Sequence, residues 1–188
     1  MEEFRLQYPL DASSIVMDAG SFRGDFIDWC RKKWGCTVLA FEPSGSFRKN
    51  IEQRFAGDAR VRLFNYGLGA VTEHIDLSIQ GDSTTVYFDK ASEIESVLVR
   101  DVVEVFTELA LNEVALFKIN IEGGEYPLLA KMLDAGLVPR VRYFQVQYHS
   151  IGTKDPAAAR DRIRERLSET HREEWCVNGG QWESWARR

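Results

Sequence analysis

Six polar residues stand where short apolar runs end: Asp18, Glu42, Asn65, Asn120, Glu122 and His149. Carboxylates and amides at such ends can hold the hydroxyls and ammonium of a small ligand, and a histidine titrating near ~6.5 can take a proton close to neutrality. Between Asp18 and Glu42 lies Gly20-Ser-Phe-Arg-Gly24, a turn with glycine at each end. A dinucleotide turn of the G-x-G-x-x-G type needs a middle glycine so that pyrophosphate can approach the backbone. Here Phe22 and Arg23 fill that space, which disfavours pyrophosphate. A ligand without phosphate fits better, with an amino acid end for Asp18, close approach at Gly20, and ribose hydroxyls for Glu42. S-adenosylmethionine has this shape. A nicotinamide enzyme also keeps a ribose acid about 20 residues past its turn, so the spacing of Glu42 alone leaves both open, and the missing glycine separates them. The expected cofactor contacts are Asp18, Gly20, Ser21, Phe22, Gly24, Glu42, Pro43, Asn65, Tyr66 and Asn120.

These residues need elements to position them. Ile15 to Asp18 reads as a strand, followed by a helical stripe of Phe26, Ile27, Cys30 and Trp34 that Gly35 stops. Thr37 to Phe41 is a second strand. Ser44 is placed to cap a helix carrying Phe47, Ile51 and Phe55, and Val61 to Asn65 is a third strand before the turn-like Tyr66-Gly-Leu-Gly69. Strand and helix in alternation mark a parallel α/β sheet. Residues 73–89 break the pattern and read as a hairpin or flap turning at Gln80 to Ser83. Further strands are expected at Val97 to Arg100, Ala115 to Ile121 and Val141 to Tyr148. Helices are expected over Val102 to Leu111, after Glu122-Gly-Gly-Glu125 with Pro127 in the first turn, and from Asp155-Pro156 onward. The last of these presents Arg160 to Arg166 as a solvated face. Asn178-Gly179 between apolar arms signals a C-terminal hairpin.

The chain has 188 residues, 44% of them hydrophobic, which suits one well-buried core and a single domain over 1–188. A net charge of −5 supplies no overall basic field, so a nucleic-acid partner is not expected. No run approaches the ~18 apolar residues of a membrane span and Met1 to Leu10 has no apolar leader, so the expected protein is soluble and cytoplasmic. Cys30, Cys36 and Cys176 follow no C-x-x-C spacing and read as buried, reduced thiols; with three histidines they assemble no metal site.

Three blocks carry a resemblance: Asp18-Ala-Gly-Ser-Phe-Arg-Gly24, Phe41-Glu-Pro43 and Leu116-Phe-Lys-Ile-Asn-Ile-Glu-Gly-Gly-Glu125. In order and separation they resemble the signature blocks of the FkbM-type methyltransferases, a group of class I S-adenosylmethionine-dependent enzymes. The third block is the specific one, and the resemblance spans roughly residues 14 to 150. It implies an α/β, Rossmann-like fold with a seven-stranded, mostly parallel sheet, helices on both faces and an antiparallel C-terminal hairpin. It also implies O-methylation of small molecules or sugars. The chain departs from the family's pattern at Phe22, where Asn is common, and at Asn120, where Asp is common.

Methyl transfer from a sulfonium needs an aligned acceptor and, for a hydroxyl, a base. His149 is the first candidate base and Glu122 the second, with Asn120 beside the reacting centre. Lys118, inside an apolar run, needs a partner, and Glu125 is a candidate for it. Phe22 and Tyr66 are possible walls for adenine, and the acceptor would lie under the flap near Tyr148-His149-Ser150. A binding module without turnover and a nicotinamide oxidoreductase are the competing readings.

Overall fold

The computed structural model describes residues 3–80, 83–85 and 93–188. The apolar runs become the strands β1 (Ile15–Ala19), β2 (Thr37–Phe41), β3 (Val61–Phe64), β8 (Val114–Ile119) and β9 (Val141–Gln147). They pair in parallel in the order β3-β2-β1-β8-β9. The C-terminal strands β10 (His171–Val177) and β11 (Trp182–Arg187) complete a seven-stranded sheet, with β11 antiparallel to both β9 and β10.

Each strand of the middle is buried on both faces because helices cover both. On one side α1 (Asp25–Trp34) and α2 (Gly45–Arg54) bring Phe26, Ile27, Cys30, Trp34 and Ile51 onto Val16, Val38, Ala40 and Leu116. On the other, α3 (Val102–Glu108), α4 (Glu125–Asp134) and α5 (Pro156–Leu167) pack against Met17, Leu39, Phe117 and Phe144. Gly35 ends α1 in the left-handed region at φ 64°, where a side chain would be strained. Asp155 caps α5 by accepting from the Ala158 N–H, as the Asp-Pro pair predicts. Ser44 does stand at the cap of α2, but its hydroxyl is turned to Ser46 and Glu95 and caps nothing.

Four features differ from expectation. The stretch read as a hairpin or flap does form a hairpin, β5 (Glu73–Gln80) antiparallel to β6 (Ser83–Thr85), but it does so within a second sheet of four strands that includes β4 (Gly67–Gly69) and β7 (Glu93–Asp101), in the order β4-β7-β5-β6. The Gly67-Leu-Gly69 segment, read as a turn, pairs in parallel with β7; the expected tip at 81–82 and the run 86–89 lie outside the described residues. The C-terminal connection spans Asn178 to Gln181 rather than two residues, with Asn178, Gly179 and Gly180 all at positive φ. A Cβ on Gly180 would sit 1.6 Å from the Arg160 guanidinium, so that arginine fixes the glycine. Third, α5 does not leave its whole arginine face to solvent. Arg164 reaches the fully buried Glu183 at 2.6 Å and pairs with Glu173 as well, because a buried carboxylate without a partner would be far more costly. Fourth, Cys30 and Cys36 are buried as expected while Cys176 is exposed on β10.

Candidate active site

The sheet's strand order reverses between β1 and β8, and ligands of open α/β sheets bind outside the carboxyl ends at such a point. A cleft of about 490 Å³ lies there, within the range of small-molecule sites. Gly20, Phe22, Glu42, Pro43, Asn120 and Glu122 line it, so six of the expected residues meet across three strands. The second sheet supplies the opposite wall through Gly67 to Val71, Glu73, Ile75, Leu77 and Val99, none of which is among the expected site residues. Alternation of Ile75 and Leu77 was the only signal that one face of that strand is covered.

The turn after β1 is held open for a ligand by its backbone. Gly20 sits at φ 76°, and a Cβ there would lie 2.0 Å from the Asn120 carbonyl oxygen. Glycine is thus required by both conformation and contact. Phe22, also at positive φ (53°), packs its ring on Phe47 with centroids 4.4 Å apart. Its N–H donates to Glu42 Oε2 at 2.7 Å while the Ser44 N–H donates to Oε1 at 3.0 Å. Burial raises the Glu42 carboxyl to a pKa of about 7, against the pull of those two hydrogen bonds. Two of a carboxylate's roughly four acceptor sites remain for a ligand. The side-chain oxygen of Asn120 is buried and has no hydrogen-bond partner among the described residues. A bare backbone, an under-used carboxylate and an orphaned amide oxygen fit the donors of an amino acid and a ribose diol.

Asp18, Ser21, Gly24, Asn65 and Tyr66 do not line the cleft. Asp18 is fully buried beneath the turn, and the ammonium it meets is that of Lys118, at 2.8 Å, in place of a ligand's. Lys118 therefore pairs with Asp18 and not with Glu125, and its Nζ also donates to the Gly20 carbonyl at 2.8 Å. Ser21 donates its hydroxyl to the Asp18 carbonyl, and Gly24 starts α1 where a Cβ would press on the Phe55 ring at 2.8 Å. Both shape the turn from behind. Asn65 is exposed beyond the edge strand β3, and Tyr66 is buried against Phe41 and Phe64, in the core.

Across the cleft, Glu125 is fully buried at the start of α4 and holds the preceding loop: its two oxygens accept from the Ile121 and Gly123 N–H groups at 2.9 and 2.8 Å. Its Oε1 also lies 2.8 Å from His149 Nδ1, which assigns the Nδ1 proton toward the carboxylate. The other ring nitrogen, Nε2, faces Glu122 Oε1 at 3.5 Å. His149 does not line the cleft, whereas its neighbour Glu122 does. Burial opposes a charge on His149, yet the hydrogen bond to Glu125 and the charges of Glu125 and Glu122 outweigh it and raise the imidazole's pKa. Burial raises the Glu122 carboxyl as well, with His149 pulling the other way. Glu122 stands at φ 53°, and Gly123 follows at φ 101° with its would-be Cβ 2.6 Å from the Ile151 carbonyl. Strain of this kind persists where surrounding contacts over-determine the loop, as Glu125 does here.

A model of the methyltransferase FkbM domain matches residues 18–173. The chain belongs to the FkbM methyltransferase family. It is an S-adenosylmethionine-dependent methyltransferase with the Rossmann-like class I fold, and the nicotinamide reading falls. Among solved structures it is similar in fold to an rRNA methylase from Streptococcus thermophilus, with a TM-score of 0.54 and 12% identity over 95% of this chain and 89% of that one. The fibrillarin pre-rRNA processing protein of Methanococcus jannaschii gives a TM-score of 0.56 and 10% identity over 95% and 68%. Identities this low carry the fold and nothing finer. No curated protein matches the chain. Among the described residues of this FkbM methyltransferase, no helix is long and apolar enough to cross a membrane.

Proposed function

We propose that this methyltransferase transfers a methyl group to a hydroxyl of a small molecule or sugar, with the donor held by Gly20, Phe22, Glu42, Pro43 and Asn120 and the acceptor facing Glu122. When bound, S-adenosylmethionine supplies a methyl already activated on a sulfonium, so the chain's own task is to orient the acceptor, exclude water and accept its proton. Glu122 is suited to take that proton because its carboxyl reaches the cleft and burial lifts its basicity. His149 is suited to position Glu122 and to share the proton through Nε2, and Glu125 fixes the ring's tautomer from behind. Asn120 borders the same space, which gives the site an amide where a carboxylate is common in the family.

The observation that carries the acceptor class is charge. Three carboxylates, Glu42, Glu73 and Glu122, line the cleft, and among the described residues no Lys or Arg does. A polyanionic acceptor gains most of its affinity from cations beside its phosphates, and here it would meet the opposite. The fold relatives named for rRNA therefore do not set this chain's acceptor. Incubation with methyl-labelled donor and two acceptor sets, neutral sugars and polyols in one and RNA oligonucleotides in the other, tests this by mass spectrometry. Label in a methyl ether of the first set, lost in Glu122→Gln, is the expected result. Transfer to RNA alone would overturn it.

A further inference from the structure

A second cavity, also of about 490 Å³, opens between α4 and α5 against Ala130, Leu133, Ala159 and Ile163. It adjoins the first, since Pro127, Gly152 and Thr153 line both. The inner faces of the two helices are spent on the core through Leu128, Leu129, Met132 and Leu167, and the half-buried alanines between them leave a trough.

The two chambers differ in charge. Among the described residues the first presents three carboxylates and no cation, and the second presents Arg162 and Arg166 and no carboxylate. Arg166 is engaged by Asp134 at 2.7 Å. Arg162 is exposed and has no ion pair or hydrogen bond among the described residues.

We propose that this trough is the distal half of the acceptor site, and that the acceptor is a small amphipathic molecule with its hydroxyl at one end, an apolar body, and an anionic group at the other, a carboxylate or a phosphate. The proposal rests on the hydroxyl-methylation reading. A carboxylate or phosphate placed among Glu42, Glu73 and Glu122 would be repelled, whereas at Arg162 it meets a forked donor matched to planar and tetrahedral oxyanions. The alanine and leucine surface of the second chamber is removed from water only when an apolar body covers it. Opposite charge at the two ends therefore fixes the acceptor's direction, with the hydroxyl at Glu122.

Calorimetry on the full chain, saturated with S-adenosylhomocysteine, tests this with three probes: ω-hydroxydodecanoate, ω-hydroxydodecyl phosphate and dodecane-α,ω-diol. The wild type should bind the anions about fivefold tighter than the diol, the upper range for an exposed ion pair. The stronger of the two anions identifies the headgroup. Arg162→Glu should abolish the preference without weakening the diol. Ala130→Trp, which fills the trough, should weaken all three probes by tenfold or more and leave S-adenosylhomocysteine affinity and melting temperature unchanged. No probe binding by the wild type, affinity for both anions no greater than for the diol, or binding indifferent to both substitutions would overturn the proposal. So would a concentration-dependent dimer in sedimentation, dispersed by Ala130→Trp, because a second copy would then occupy the trough. Probe binding with these variant effects but no methyl ether on loading with donor upholds the trough and overturns the hydroxyl-methylation reading alone.

Discussion

Glu42 carries the most quantitative expectation. Its residue is 4% exposed, its oxygens accept two backbone N–H groups, and burial lifts its carboxyl from 4.5 to about 7. Burial penalises the charged form of an acid, so the native chain keeps this proton over a pH range in which the unfolded chain has lost it. Stability from this group is therefore greatest below the unfolded value and falls as pH rises, by about 1.4 kcal/mol per unit and about 3 kcal/mol across the interval. A ribose diol donating to the carboxylate has the reverse preference and selects the ionised form. For a group titrating at about 7, the ionised fraction rises about tenfold between pH 6 and pH 8, and affinity for S-adenosylhomocysteine should rise with it. Calorimetry in two buffers of different ionisation enthalpy should show about half a proton released at pH 7. Glu42→Gln should bind weakly and without pH dependence, since its amide nitrogen faces one of the two N–H donors and leaves it unpaired. Equal affinity at both pH values in the wild type, with Glu42→Gln binding as well, would mean that the ligand does not bind an ionised Glu42.

Other parts of the site give sharper yes-or-no outcomes. Gly20→Ala should lower stability by about 1–3 kcal/mol and abolish donor binding, because its Cβ would lie 2.0 Å from the Asn120 carbonyl; a near-normal melting temperature with intact binding would contradict the turn's geometry. Lys118→Met should cost about 3–5 kcal/mol by stranding Asp18, and the double variant Asp18→Asn, Lys118→Met should recover much of that in urea unfolding; additive losses would mean the two do not act as a pair. His149→Gln should cost more stability at pH 6 than at pH 9. The raised imidazole pKa stabilises the fold below the ordinary value of 6.5 and loses that contribution as pH rises through the folded value. Losses equal at the two pH values would remove the Glu125 and Glu122 partnership from the account.

What the sequence disclosed follows from how local each signal is. Strands β1 and β2 are mostly apolar runs bounded by turns, and α1 repeats its buried residues at helical spacing, so Phe26, Cys30 and Trp34 were readable from adjacent residues. Glu42 and Gly20 were readable for the same reason, each standing directly after a strand. The second sheet was not, because β4 has three residues, two of them glycine, and its partner β7 lies about thirty positions on, so a turn and a strand look alike there. The Asp18–Lys118 pair joins residues a hundred positions apart on neighbouring strands, and only the sheet order reveals it. With Asp18 so engaged, Glu125 was free for His149 and the loop, which moved His149 behind Glu122. Glu95 is a similar case: on β7, it accepts from the Ser44 hydroxyl and the Gly45 N–H, tying the second sheet to the loop that presents Glu42. Nothing in its local sequence marks it.

A crystal structure with S-adenosylhomocysteine decides whether the cleft between Glu42 and Glu122 holds the methyl donor. Ribose hydroxyls on Glu42, an amino acid end against the Gly20 turn and Asn120, and the sulfur turned toward open space beside Glu122 are the expected result. S-adenosylhomocysteine bound elsewhere, or bound with Glu42 and Asn120 untouched, would contradict it.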